Sequence, residues 1–232
     1  MRLDVIQNMS LPQTMDLFQS DDELVTAESD MELLAPGAML LRGRAKLDAV
    51  ALLADLQSVL ERAPLRHMVT PSGFRMSVAM SSCGALGWVS DSVGYRYDAV
   101  DPNSGQNWPA MPASFLRLAR LAAAEAGFSG FEPDACLVNC YEPGARLTLH
   151  QDRNERDFSQ PIVSVSFGLN AVFLFGGPKR NDRPVRVPLM HGDVVVWGGP
   201  ARLRYHGVLA LEHGQHALTG NCRFNLTLRR AA

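Results

Sequence analysis

The chain has 232 residues, 47% of them hydrophobic and 20% charged, with a formal net charge of −2. That length and apolar content suffice to bury one large core and give no sign of disorder. No apolar run is long enough to span a bilayer and no charged-then-apolar leader is present, so the expected setting is the cytoplasm, away from membranes.

Residues 1–32 hold eight of the 24 acidic residues and only Arg2 of the 22 basic ones. The remaining 200 residues carry 21 basic against 16 acidic side chains, a balance of +5. Attraction for phosphate can come from that body, with the acidic leader partly mobile or turned away, but five positive charges do not by themselves establish nucleic-acid binding. A helix is expected over 48–60, with Leu47, Val50, Leu53 and Leu60 on one side and Pro64 just beyond its end. Residues 68–97, rich in Ser, Gly, Met and aromatics, read as hairpins and loops forming a lid. A second helix should follow Pro112, a favoured first-turn residue, through Phe115, Leu118, Leu121 and Ala122 to Gly127 as its C-terminal cap.

From residue 135 onward short strands are expected at 136–141, 162–169, 172–175, 185–189, 194–197, 203–206 and 224–228. Such dense β-branched and aromatic runs, punctuated by Gly, Pro, Asn and Asp, read as a double-stranded β-helix, or jelly roll, with an open mouth. The expected class is α+β, mainly β. An acidic leader (1–32), helices and lid (33–134) and a jelly-roll core (135–232) would form one structural domain.

His150-Gln151-Asp152 is followed 54 residues later by His206. Residues two apart on a strand point the same way, so His150 and Asp152 can converge on one ion if His206 arrives from a distant strand. Two histidines and one carboxylate occupy one face of a metal and leave positions open, which suits non-heme Fe(II). Taken singly, the triplet also reads as a hydrogen-bonded strand histidine followed by a turn-opening aspartate.

The run Cys222 to Arg229 adds to this. Arg223, Asn225, Thr227 and Arg229 alternate with Phe224, Leu226 and Leu228, so a strand would bury one apolar face and present a polar one with an arginine near each end. An edge strand facing water would look similar but would not require Arg, which grips carboxylates in a bidentate fork. The two arginines stand roughly 20 Å apart along a strand. Both could hold one short diacid only if their side chains bend together or the strand curves. His213 and His216 read as loop residues and His191 as part of a turn. Cys83, Cys136, Cys140 and Cys222 form no C-x-x-C pair and read as reduced, mostly buried thiols. No G-x-S-x-G elbow or phosphate-cradling loop competes for the chemistry.

The segments NCYEPGA from Asn139, PIVSVS from Pro161, HGDVVVWGG from His191, Tyr205-His206-Gly207 and RFNLT from Arg223, together with the His150 triplet, closely resemble the bacterial AlkB family of Fe(II)/2-oxoglutarate-dependent alkylation repair dioxygenases. The resemblance runs from about Met15 to the C-terminus in the same order. It implies that His150, Asp152 and His206 hold iron, and that Arg223, Asn225 and Tyr141 hold the distal carboxylate of 2-oxoglutarate. Arg229 and Asn139 would meet its metal-chelating end. The reaction implied uses O2 and converts 2-oxoglutarate to succinate and CO2, while N-methyl groups of 1-methyladenine or 3-methylcytosine leave as formaldehyde. The partner implied is single-stranded or locally opened DNA, with RNA as a further substrate, and the chain is expected to be a monomer.

By the same resemblance Trp88 would stack on a flipped base, with the His150 ring on its other side. Met80 would line that slot, Thr70 and Tyr95 would contact phosphates, and Arg180 would belong to a basic substrate loop. Arg146 and Gln151 are weaker candidates of that kind. Asn154 departs from the pattern, because an aspartate is expected there to contact the exocyclic group of the base. An amide donates and accepts whereas a carboxylate only accepts, so base preference should change more than iron chemistry. Residues 15–18 resemble a native start, which would make residues 1–14 a dispensable extension. Two alternatives remain: an Fe(II)/2-oxoglutarate hydroxylase of a small molecule or protein, against which Trp88 and the Lys179-Arg180 loop argue, and a metal-free β-barrel module binding nucleic acid.

Overall fold

The computed structural model describes residues 31–232, so the expectations for residues 1–14 and for the acidic leader up to residue 30 lie outside them, while its last two residues, Met31 and Glu32, open the first strand. In chain order the elements are β1 (Met31–Ala35), β2 (Ala38–Leu41), α1 (Ala49–Arg62), β3 (Arg66–Val69), β4 (Arg75–Gly84), β5 (Gly87–Asp91), β6 (Gly94–Asp98) and α2 (Ala113–Glu125). There follow β7 (Ala135–Tyr141), β8 (Leu147–His150), β9 (Ile162–Gly168), β10 (Ala171–Phe175), β11 (Val185–Leu189), β12 (Val194–Trp197), β13 (His206–Val208) and β14 (Arg223–Arg229).

The strands form an eight-stranded sheet in the order β1-β2-β12-β9-β14-β7-β4-β3, a four-stranded sheet in the order β11-β10-β13-β8, and the separate hairpin β5-β6. All strand pairs within these sheets are antiparallel. The two larger sheets pack face to face as the expected jelly roll.

Alternation along the strands divides the core in two. Val163, Val165 and Phe167 of β9, Val194 and Val196 of β12, and Leu226 and Leu228 of β14 point to the outer face, where they pack under α1 and α2. Ile162, Val195 and Trp197 point between the sheets and meet Phe173 and Phe175 of β10. The polar residues of β9 and β14 share this inner side, so the buried polar face of β14 looks into the jelly roll and not into water.

The helix at 48–60 forms, but through a different stripe. Ala49, Leu52, Leu56 and Val59 are buried, whereas Leu47 and Val50 are 88% and 67% exposed. This helix is apolar on more than one side, and the stripe beginning at small Ala49 is the one that seats on the sheet. On α2, Phe115, Leu118 and Ala122 are buried as expected, but Leu121 is 47% exposed. Gly127 ends α2 as expected. Its φ is +89°, and the Gly127 and Phe128 amides donate to the Ala124 and Ala123 carbonyls as a paired C-terminal cap.

Two further expectations are corrected. Residues 203–205 are not strand, because the 3-10 turn Gly199–Ala201 keeps the chain turning, with the Arg204 amide on the Ala201 carbonyl, and β13 begins only at His206. Within 68–97, β4 is a central member of the large sheet through its pairing with β7, and only β5-β6 stands apart as a lid-like hairpin. Strands from before residue 134 thus supply β1 to β4 of the eight-stranded sheet.

Candidate metal centre

β8 and β13 pair so that His150 stands opposite His206, with ring centroids 4.5 Å apart. Asp152 lies two residues past the end of β8 and turns back toward both. Its Oδ1 is 3.7 Å from His150 Nε2 and its Oδ2 is 3.7 Å from His206 Nε2. The three ligand atoms all lie within 4.8 Å of one another, the sole such group among the described residues. His150 Nδ1 bonds the Thr148 carbonyl at 2.8 Å and His206 Nδ1 the Arg204 carbonyl at 3.0 Å. Carbonyls only accept, so each Nδ1 carries the proton and each Nε2 keeps its lone pair for a metal.

The electrostatics favour the ligating forms. Burial, helped by neighbouring His150, pushes the His206 pKa down to about 4, so the imidazole is neutral at pH 7. Burial would raise the Asp152 pKa, but Arg229 and the two histidines outweigh it and hold the carboxyl well below its usual range. Arg229 donates from Nε at 2.9 Å and from its terminal nitrogen at 2.6 Å to Asp152 Oδ2.

The triad opens onto a cavity of about 760 Å³. All the residues expected at the site line it except Arg180, which is exposed on a neighbouring loop with its guanidinium 5.9 Å from the Tyr205 ring. On the floor, Arg223 is 1% exposed. One terminal nitrogen donates to Ser166 Oγ at 2.9 Å, while its Nε and other terminal nitrogen have no partner. Buried donors without partners are rare in folded proteins, and two on one guanidinium facing a cavity complement a carboxylate. Tyr141 stands opposite Arg223 on β7, its phenol pushed up to about 12 mainly by burial and so kept protonated.

Asn225 is held from several sides. Its Nδ2 donates to Ser164 Oγ and the Val165 carbonyl, and its Oδ1 accepts from Thr227 at 3.0 Å and from Asn139 at 3.4 Å. The Oδ1 of Asn139 is buried and unpartnered. Two histidines with a carboxylate at one end and an unsatisfied guanidinium at the other therefore fit Fe(II) and 2-oxoglutarate.

Trp88 and Tyr95, on β5 and β6, stack with centroids 5.7 Å apart and planes 15° apart at the cavity mouth. Trp88 Nε1 donates to Asn154 Oδ1 at 3.3 Å, and Asn154 Nδ2 donates to the Tyr95 carbonyl at 3.4 Å. Met80 is buried in the wall. The Thr70 hydroxyl is within the β3-β4 turn, accepting from the Phe74 amide.

Several contributors were not singled out from the sequence. Ser164 and Ser166 anchor Asn225 and Arg223, and their signal was the polar alternation inside the apolar run of β9. Buried Glu155 and Arg202 and half-buried Tyr97 form a polar group behind Asp152. Arg202 donates to the Asp152 and Gln160 carbonyls at 2.8 and 3.0 Å. Its pattern gave no signal, because it lies in a turn 50 residues from its partner.

The fold and this site define an oxygenase that uses Fe(II), 2-oxoglutarate and O2, and the model of the 2OG-Fe(II) oxygenase superfamily matches residues 37–229. The chain is 53% identical over 210 residues to alpha-ketoglutarate-dependent dioxygenase AlkB of Escherichia coli (strain K12), which covers 90% of this chain and 97% of that protein. It is 36% identical over 123 residues to nucleic acid dioxygenase ALKBH1 of Mus musculus, covering 53% of this chain and 31% of that one. The solved structure of OsALKBH1 matches with a TM-score of 0.77 at 28% identity, over 87% of this chain and 100% of that one. The chain belongs to the AlkB family of alpha-ketoglutarate-dependent dioxygenases. No described helix is long and apolar enough to cross a membrane.

Proposed function

We propose that this dioxygenase oxidatively dealkylates N-methylated bases in DNA, 1-methyladenine and 3-methylcytosine among them, and accepts RNA as well. The observation that carries this reading is one cavity shared by the metal triad, Arg223, Trp88 and Tyr95. A base inside a duplex cannot present its edge to such a cavity, so the substrate would be single-stranded or locally opened. Trp88 and the His150 ring would flank the base, Met80 would line the slot and Asn154 would meet its exocyclic group. Thr70 and Tyr95 would take phosphates, and Arg180 would follow the strand outside the mouth. The relatives named for nucleic acids support this substrate class over a small molecule or protein. We further propose a monomer acting in the cytoplasm, a setting that suits four free cysteines.

Bound Fe(II) and 2-oxoglutarate supply the oxidation of the N-methyl group by O2, with succinate, CO2 and formaldehyde as products. The side chains supply placement. Neutral His206, ionised Asp152 and the free Nε2 of His150 would hold one face of the metal. Arg223, Tyr141 and Asn225 would fix the distal carboxylate, while Arg229 and Asn139 would meet the metal-side end.

The test is incubation of the Fe(II)-loaded chain with O2, 2-oxoglutarate and a single-stranded oligonucleotide bearing either base, followed by mass spectrometry. Loss of the methyl group that requires 2-oxoglutarate and disappears in His150→Ala is expected. Turnover of 2-oxoglutarate with both oligonucleotides unchanged would sink the substrate reading.

A further inference from the structure

Behind Asp152 lies a second carboxylate that the established chemistry leaves without a role. Glu155 is three residues beyond Asp152 and its side chain is 2% exposed. It pairs with Arg202 at 3.0 Å, stands 3.5 Å from Arg229 Nε, and accepts the Tyr97 hydroxyl at 2.7 Å. Two carboxylates and two guanidiniums thus form a neutral buried set. Replacing such ion pairs by apolar side chains is often neutral or stabilising, so stability alone does not account for this one.

Arg229 explains what the set is for. Its side chain is 6% exposed, and its nearest anion is Asp152, which a bound metal would also claim. Metal binding would leave the guanidinium under-compensated unless a second anion stood beside it. Glu155 is that anion, and two groups aim it. Arg202 also donates to the Asp152 carbonyl, which pins the 152–155 segment. Tyr97 reaches in from β6, where it pairs in register with Trp88.

We infer that Glu155 and Tyr97 are positioning residues for 2-oxoglutarate: they hold Arg229 between Asp152 and the cavity, so that its guanidinium is presented to the metal-side carboxylate. This rests on the oxygenase reading of the site and adds two residues to it. Tyr97 also ties the hairpin carrying Trp88 to the cosubstrate end of the cavity. Burial is the main cause that raises the Tyr97 pKa well above its usual value, so the phenol stays a donor throughout the working range.

The test is calorimetric titration of 2-oxoglutarate into the Mn(II)-loaded full chain without oxygen, for the wild type, Tyr97→Phe, Glu155→Gln and the double variant. Binding should weaken about threefold in Tyr97→Phe and about tenfold in Glu155→Gln, given the strength of hydrogen bonds to charged groups. The double variant should be no weaker than Glu155→Gln, because the phenol acts through the carboxylate. In turnover, KM for 2-oxoglutarate should rise while kcat holds, a split that general loosening would not produce. Unchanged affinity in Tyr97→Phe, or losses that add in the double variant, would overturn the inference. Tyr97→Phe removes one oxygen and keeps the test decisive if Glu155→Gln does not fold. Absence of 2-oxoglutarate binding by the wild type would instead overturn the oxygenase reading, and the inference with it.

Discussion

His150 and His206 occupy opposed positions on β8 and β13, which brings their rings to 4.5 Å although 56 residues separate them in the chain. Asp152 joins them from the loop, where it is also the buried partner of Arg229. The three ligands should therefore differ in what their loss does to the metal-free protein. His150→Ala, at a side chain 39% exposed, should remove metal binding with little change in stability. Asp152→Ala should remove it as well and cost about 2 kcal/mol, because buried Arg229 loses both hydrogen bonds to Asp152 and keeps only Glu155, 3.5 Å from its Nε. Urea unfolding of the metal-free variants, beside metal titration, distinguishes the two.

Arg223 carries the opposite signature. It is buried with two nitrogens unpartnered, so in the absence of cosubstrate its charge is a burden on the fold. Arg223→Met should raise the melting temperature of the unliganded protein, by the equivalent of about 1–3 kcal/mol, and abolish binding of 2-oxoglutarate. A variant that loses stability while still binding 2-oxoglutarate would contradict this role.

His206 gives the metal-free chain a pH dependence whose sign is fixed. Its folded pKa of about 4 lies below the usual 6.5, so between these values the unfolded chain binds more protons than the folded one. This contribution is fully present above about pH 6.5, declines as pH falls, and is exhausted below about pH 4. Its ceiling is about 3 kcal/mol. Thermal unfolding of the metal-free protein across this window should show the slope, and His206→Asn should flatten it.

Asn154 should govern base choice. Its amide already accepts from Trp88 and donates to the Tyr95 carbonyl, so either end can serve a base edge. Asn154→Asp leaves only acceptors, which favour the exocyclic amino groups of 1-methyladenine and 3-methylcytosine over the carbonyls of 1-methylguanine and 3-methylthymine. The ratio of kcat/KM between these pairs should shift by about tenfold toward the amino-bearing bases, with the uptake of Fe(II) unaltered.

Much of this was legible from residue pattern. Alternation over 223–229 separated Arg223, Asn225, Thr227 and Arg229 from Phe224, Leu226 and Leu228, because a pleated strand sends successive side chains to opposite faces. The Gly127 cap and most of the strands after residue 135 followed from local rules as well, whereas β8 and the start of β13 did not. The seating of α1 did not, because Leu47 and Val50 compete with Ala49 and Leu52 for the core and only the opposing sheet decides between them.

The sequence by itself determined the chemistry available: two imidazoles and a carboxylate for a metal, two arginines for a diacid, and an amide at 154. Tertiary structure alone decided which of those groups face one cavity, and that Glu155, Arg202 and Tyr97 stand behind them. The reason is physical. Side-chain type and local periodicity are written in neighbouring residues, whereas the pairing of β8 with β13 and the meeting of Tyr97, Glu155 and Arg229 depend on long-range register, which no short window of residues specifies.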